Sequence, residues 1–149
     1  MNENKQMDNT HAKYNVSLVL RDSRGKYKAR RVFHNTVPAN GLAHIADQLS
    51  STPGQAAMGW MAVGTGTPSA TLLGTENDRN ALTSRTDSGA VVTYVGDWAA
   101  GDATAAITEA GIFNIVTANT ITMLASASFA AVNKGASDTL QITWTLTLS

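Results

Sequence analysis

Two stretches in the last thirty residues alternate apolar and polar side chains with a period of two. From Thr120 to Phe129 the apolar positions are Ile121, Met123, Ala125, Ala127 and Phe129, while Thr120, Thr122, Ser126 and Ser128 take the other parity. From Leu140 to Ser149 the pattern is unbroken, with Leu140, Ile142, Trp144, Leu146 and Leu148 on one face and Gln141, Thr143, Thr145, Thr147 and Ser149 on the other. Successive side chains of a strand point to opposite faces, so this period predicts strands buried on one side only. Antiparallel sheets of sandwiches are built this way; parallel sheets covered by helices on both faces read as continuous apolar runs. The polar parity is rich in hydroxyls and nearly free of charge, a composition suited to contact with another protein.

The same reading extends upstream. Tyr14, Val16, Leu18 and Leu20 alternate with polar neighbours, and Asp22-Ser23-Arg24-Gly25 turns the chain into a second strand near Tyr27 to His34, so a hairpin opens the domain. Asn40-Gly41 precedes Leu42, Ile45, Ala46 and Leu49, a helical apolar stripe stopped by Thr52-Pro53-Gly54. It predicts one short amphipathic helix, placed as a lid over an open end of the sheets. Further strands are expected at Met58 to Val63, Ala81 to Asp87, Ala90 to Trp98 and Ala105 to Asn114, with a loop around Pro68, for a total of eight. No repeat or linker divides them. The expected architecture is mainly β: a single antiparallel β-sandwich over residues 14–149, jelly-roll-like in wiring, preceded by an N-terminal arm over residues 1–13. The polar start of that arm has the composition of a tail that cannot bury itself.

A chain of 149 residues can bury roughly 70% of its unfolded surface and needs no metal or disulfide to fold. It has no cysteine, which excludes thiolate chemistry and a disulfide framework. No apolar run approaches the ~18 residues of a membrane span, and the polar N-terminal stretch is unlike a signal peptide. The expectation is a soluble protein made in the cytoplasm. Formal net charge is zero, but residues 1–34 hold eight Lys and Arg against three Asp and Glu, and the remainder holds three against eight. Lys5, Lys13, Arg21, Arg24 and Lys26 therefore mark a basic leading segment. Three readings fit it: the solvated face of a hairpin, contact with an acidic protein surface, or nucleic acid, the last disfavoured because no aromatics are interleaved for base stacking.

Candidate chemistry is thin. His11, His34 and His44 have no metal-binding spacing. Gly64-Thr65-Gly66-Thr67 lacks the third glycine, the Lys and the following helix of a phosphate loop, and reads as a turn. Glu76 and Glu109 invite a glycosidase reading, but Arg79 lies three residues from Glu76, and a guanidinium beside a carboxylate favours a structural ion-pair cluster. Among Trp60, Trp98 and Trp144, only Trp98, between Gly96-Asp97 and Ala99-Ala100-Gly101, is expected to be exposed. It joins the basic residues as a candidate partner contact.

Several segments together resemble a known family. They are Ala62-Val63-Gly64-Thr65-Gly66-Thr67, Leu73-Gly74-Thr75-Glu76 with Arg79, Ile107-Thr108-Glu109-Ala110-Gly111-Ile112-Phe113-Asn114, Asn133-Lys134, and Asp138-Thr139-Leu140-Gln141-Ile142-Thr143-Trp144. With Asn35-Thr36-Val37 and Gly41-Leu42, and in this order, they resemble small virion structural proteins of tailed bacteriophages, over about residues 30–149. The resemblance implies a non-enzymatic β-sandwich of the particle: a head decoration (cement) protein, or a tail or fibre component. A carbohydrate-binding module using Trp98 is the further alternative. The expectation drawn is a protein that binds the outside of the assembled major capsid protein shell and stabilises it. Its partners would be that shell and copies of itself as dimer or trimer, with no cofactor, nucleic acid, membrane or small-molecule substrate. Its place would be the outer capsid surface of the virion, after synthesis in the host cytoplasm. A Glu-Ala-Gly step inside a strand further predicts a bulge or close backbone approach at Gly111, and a structural pair between Glu109 and Arg79 that fixes register.

Overall fold

The computed structural model describes residues 12–35, 37–118 and 123–148. The basic residue Lys5 and most of the expected arm lie outside the described residues. Ala12 and Lys13, assigned to the arm from sequence, instead begin the first strand, although nothing of their side chains is described.

Among the described residues there are nine strands and one helix: β1 (Ala12–Arg21), β2 (Tyr27–His34), α1 (Ala39–Gln48), β3 (Trp60–Gly64), β4 (Glu76–Ala81), β5 (Ser84–Ser88), β6 (Val91–Trp98), β7 (Ala105–Phe113), β8 (Met123–Lys134) and β9 (Thr139–Leu148). They form two antiparallel sheets, β2-β1-β9-β6-β5 and β4-β3-β7-β8, packed as a sandwich. The chain changes sheet one hairpin at a time, and β9 then returns to lie between β1 and β6. The first strand is thus neighbour to the last, as in a jelly roll.

The five-stranded sheet follows the sequence pattern closely. Val16, Leu18, Ile142 and Trp144 are fully buried, and Tyr14, Leu20, Tyr94, Trp98, Leu140 and Leu146 nearly so, all on the inner face. The opening hairpin is closed by Asp22, whose Oδ1 accepts the backbone N–H groups of Arg24 and Lys26 (both 2.9 Å), with Gly25 at φ +78°. A side-chain acceptor over the turn and a left-handed glycine are what a tight reversal requires.

The four-stranded sheet departs from the pattern. Residues 110–113 of β7 and 123–127 of β8 are buried on both faces, so Ser126, expected on the polar face of β8, is buried, while Ser128 is exposed. A second apolar cluster of Ala62, Leu73, Phe113 and Met123, with Trp60 against it, covers the outside of this sheet. Register slips by two residues between Ile107 and Glu109 and by one between Ile112 and Phe113. Glu76–Ala81, where no strand was expected, is an edge strand paired to β3, and the strand expected over Ala81 to Asp87 is β5, Ser84–Ser88.

The helix forms where the sequence places it but presents another face. Leu42 and Leu49, in the expected buried stripe, are 53% and 81% exposed, whereas Gly41 and His44 are buried. The cause is a close approach: a Cβ on Gly41 would stand 2.0 Å from the Leu124 carbonyl oxygen. With no side chain there, the helix lies directly on β8 and turns its Leu42–Leu49 edge outward.

This contact decides between two opposing effects of Gly41→Ala. Helix propensity alone favours Ala by about 1 kcal/mol, while forcing a methyl against backbone costs about 1–3 kcal/mol. The expected outcome is net destabilisation in chemical denaturation; a more stable variant would show that α1 is free to lift from β8.

Candidate functional site

The outer face of the five-stranded sheet is fixed by strand register. One row across it reads Val32, Ser17, Thr143, Val95, Ser84, and the next reads His34, Asn15, Thr145, Thr93, Thr86. These ten positions hold no Asp, Glu, Lys or Arg. A third row, Arg30, Val19, Gln141, Asp97, places opposite charges on opposite sides of the sheet. Strands sit about 4.8 Å apart and like-facing residues about 6.7 Å, so the face measures roughly 24 Å by 20 Å, on the order of 500 Å². The hydroxyl parity read from β9 is thus one column of a neutral surface, and Val19, Val32 and Val95, which the sequence reading had not singled out, add apolar area to it.

The basic residues gather at one rim. Arg24 and Lys26 are exposed at the β1–β2 turn; Arg21 is held flat, its guanidinium 4.0 Å from the Tyr27 ring centroid and Nη2 donating to Tyr27 Oη at 2.9 Å. Lys28 donates to Asp138 Oδ2 across 110 residues of chain. Asp138, nearly buried, also accepts the Gly135 N–H (2.8 Å), and these two donors hold its carboxyl below the usual range, the lysine contributing most. Beside it, Lys134 is buried and donates to the carbonyl oxygens of Ala99 (2.9 Å) and Asp138 (2.8 Å). Burial pushes its ammonium pKa down, against the pull of Asp102, Asp138 and Asp78. The basic hairpin is therefore tied to the loops at that end of the sandwich.

Trp98 does not belong to this rim. It is 1% exposed and continues the inward row of β6, opposite Leu140. Gly96 makes the room: a Cβ there would come within 2.8 Å of Met61 Sδ and 3.3 Å of Trp98 Cη2. The flanking glycines and alanines suggested a loop exposing the indole; they serve instead to pack it.

The expected pair between Glu109 and Arg79 is not formed. Arg79 pairs with Glu76 through two bonds, Nε to Oε1 at 2.7 Å and Nη2 to Oε2 at 2.8 Å, donates to the Ile115 carbonyl, and stacks 3.8 Å above the Phe113 ring. Glu109, fully buried, accepts three backbone N–H groups: Gly66 (3.0 Å) and Thr75 (2.7 Å) on Oε1, and Gly74 (2.8 Å) on Oε2. Gly64 lies opposite it in the register, and a Cβ there would fall 2.4 Å from Oε1. Thr108 Oγ1 completes the knot by donating to the Gly66 carbonyl at 2.7 Å. The Gly64-Thr65-Gly66-Thr67 and Leu73-Gly74-Thr75 segments are thus two loops clamped on one side chain, which supplies acceptors that a neighbouring strand would otherwise provide. Glu76 and Glu109 are each committed to such partners, and neither faces an open cleft as an acid–base couple does.

Two measurements test this arrangement. Glu109→Gln places an amide where two oxygens each meet N–H donors; it is expected to cost about 1–3 kcal/mol in unfolding free energy, and unchanged stability would mean that the loops stand without the clamp. For Asp138 the folded pKa lies below the ordinary ~3.9, so its contribution is present above that value and is lost as pH falls through the folded pKa. Asp138→Asn is accordingly expected to narrow the gap in melting temperature between pH 7 and pH 3, and an unaltered gap would sever the hairpin tie from acid stability. No protein-family model, curated protein or solved structure matches this chain.

Proposed function

We propose that this protein works by being covered: it is a non-enzymatic structural protein whose five-stranded outer face docks on a repeating protein surface. The specific reading is a decoration protein of a tailed-bacteriophage head, bound outside the assembled major capsid protein shell and stabilising it. The observation that carries the first step is the pair of uncharged rows on that face, ten positions of Thr, Ser, Asn, His and Val with ionised groups only beside them. Desolvating hydroxyls and valines costs far less than desolvating ammonium and carboxylate groups, so such a face can be buried without exact charge matching. The step to a phage head rests on the ordered resemblance of the sequence segments, whose glycines and Glu109 are accounted for as scaffold.

The mechanism is area and multiplicity. A face on the order of 500 Å² is below the ~800 Å² per partner of a standard interface. One copy holds weakly, and many copies around a shell share the load. The rim of Arg24, Lys26 and Arg30 steers docking toward an acidic shell surface and makes it salt-dependent. Copies of the chain meet through the same neutral class of surface as dimers or trimers. A tail or fibre module uses the same physics with fewer copies; a glycan-binding role loses its aromatic platform because Trp98 is in the core.

The decisive variant carries charge onto the face. Thr93→Glu with Thr145→Glu sets two like charges on directly opposed positions, and is expected to lower occupancy on purified shells at least tenfold while the monomer retains its cooperative melt. Binding that survives in a folded variant would remove the face from the interface. Quantitative gel analysis of virions should find the chain in many copies per particle; its absence from particles would end the capsid reading.

A further inference from the structure

Each sheet ends in two edge strands, and an edge strand offers unpaired backbone N–H and C=O groups to any strand that can meet it. Among the described residues the four edges present different chemistry. β2 carries Lys28, Arg30 and Arg31 and no acid, so two copies of it repel. β8 has α1 lying on it at Leu124, and in β4 Arg79 is committed to Glu76. β5 stands apart. Its residues, Ser84-Arg85-Thr86-Asp87-Ser88, are all exposed, and β6 is its one neighbour in the sheet. It has no proline, lysine or bulge, which are common devices for blocking an edge.

The β5 sequence is complementary to its own reversal. Two copies laid antiparallel about Thr86 put Ser84 opposite Ser88, Arg85 opposite Asp87 and Thr86 opposite its own copy, and a two-fold axis repeats each contact. Opposite charges at directly opposed positions stabilise a strand pair, and like charges weaken it. Register with β6 sets the faces. Ser84 and Thr86 stand beside Val95 and Thr93 of the neutral outer face, whereas Arg85 and Asp87 stand beside Tyr94 and Val92 on the inner parity. The join is therefore hydroxyl against hydroxyl on one side and two Arg–Asp pairs on the other. Within one chain these charges are not matched. Among the described residues Asp87 has no ion-pair partner, and Arg85 Nη1 donates to the Met58 carbonyl at 2.6 Å, which fixes the guanidinium without neutralising it.

We infer that two copies of this chain associate through β5, antiparallel about Thr86, extending the five-stranded sheet to a continuous one across the dimer. A contact of about 17 Å of strand is weak and reversible. The pairing stands on the edge alone and is independent of the capsid reading. Where both hold, the uncharged face doubles to about 1,000 Å², above the ~800 Å² of a standard partner surface.

Single cysteines read the register, since the chain has none of its own. Opposed residues of an antiparallel pair lie about 4.5–5.5 Å apart at Cα, within disulfide reach. Thr86→Cys is expected to cross-link to a dimer under mild oxidation at least tenfold faster than Ser84→Cys, whose copies stand four residues apart along the join. Mixing Ser84→Cys with Ser88→Cys should recover the fast rate. Sedimentation of the native chain from micromolar to millimolar concentration should show a monomer–dimer equilibrium. Asp87→Arg sets arginine opposite Arg85 twice and should weaken that equilibrium at least tenfold with the cooperative melt retained. A chain that stays monomeric at millimolar concentration would overturn the inference. So would equal cross-linking rates at positions 84 and 86, or a dimer indifferent to Asp87→Arg, since copies would then meet elsewhere.

Discussion

The parity of β9 is the constraint on which the rest of the molecule depends. Leu140, Ile142, Trp144 and Leu146 are each 4% exposed or less, and each contributes roughly 1.5–3 kcal/mol by burial. The strand carrying them is also the one that joins the first hairpin to the third, since β1 and β6 meet only through it. A register slip of one residue would send this whole row to solvent and bring Gln141, Thr143, Thr145 and Thr147 inward without partners. The neutral outer face is therefore not an independent feature added to a fold. Once Leu140, Ile142, Trp144 and Leu146 are needed inside, the odd-numbered side chains must form the outer surface, and their hydroxyls are what the proposed docking would cover.

The second sheet solves a different problem. Its centre, residues 110–113 and 123–127, is covered on both sides, and the loops that cover it need hydrogen-bond partners of their own. Glu109 supplies them from within the sheet, and Arg79 supplies a lid over Phe113 while satisfying Glu76. Both are polar groups whose partners are fully specified, which is the condition under which burying them is tolerable. The glycines at positions 64, 66 and 74 are the steric counterpart: a methyl on any of them would stand within 2.7 Å of an atom of the opposing loop or of Glu109. The motif that resembles a phosphate loop in sequence is thus a backbone-to-carboxylate clamp.

How much of this was legible depended on how many faces of each strand are buried. β1 and β9 could be read residue by residue because one face packs and the other does not. In β8, burial from Met123 to Ala127 erases the contrast between parities, and in β4 the sequence Glu-Asn-Asp-Arg-Asn-Ala has no strand character at all; pairing with β3 imposes the conformation. Trp98 and the α1 stripe failed for a common reason. In both places a glycine, Gly96 or Gly41, lets another element approach closer than any side chain allows, and the approach decides which way the neighbours face. The Glu109 clamp was out of reach because its three donors come from segments 34 to 43 residues away. The basic hairpin was legible since its turn chemistry is local.

Both ends of the sandwich follow from the same economy of charge. At the hairpin end, ionised groups are drawn into one network in which Asp138 holds Lys28 and, through its carbonyl, the buried Lys134. That leaves the turn residues Arg24 and Lys26 as unburied cations at the rim of an otherwise neutral sheet. At the other end charge is scarce and the leucines of α1 and β9 open outward. The outer face thus carries neutral hydroxyls in its middle and the cations Arg24 and Lys26 at one rim, while the apolar hollow at the other end opens on the inner parity of β6 and β9. On the proposed docking reading, a partner would be oriented before it is tightly held: the cations act at a distance of about a Debye length, ~8–10 Å, the hydroxyl rows only on contact. In that proposal orientation would come from the rim, and area from the parity of β9.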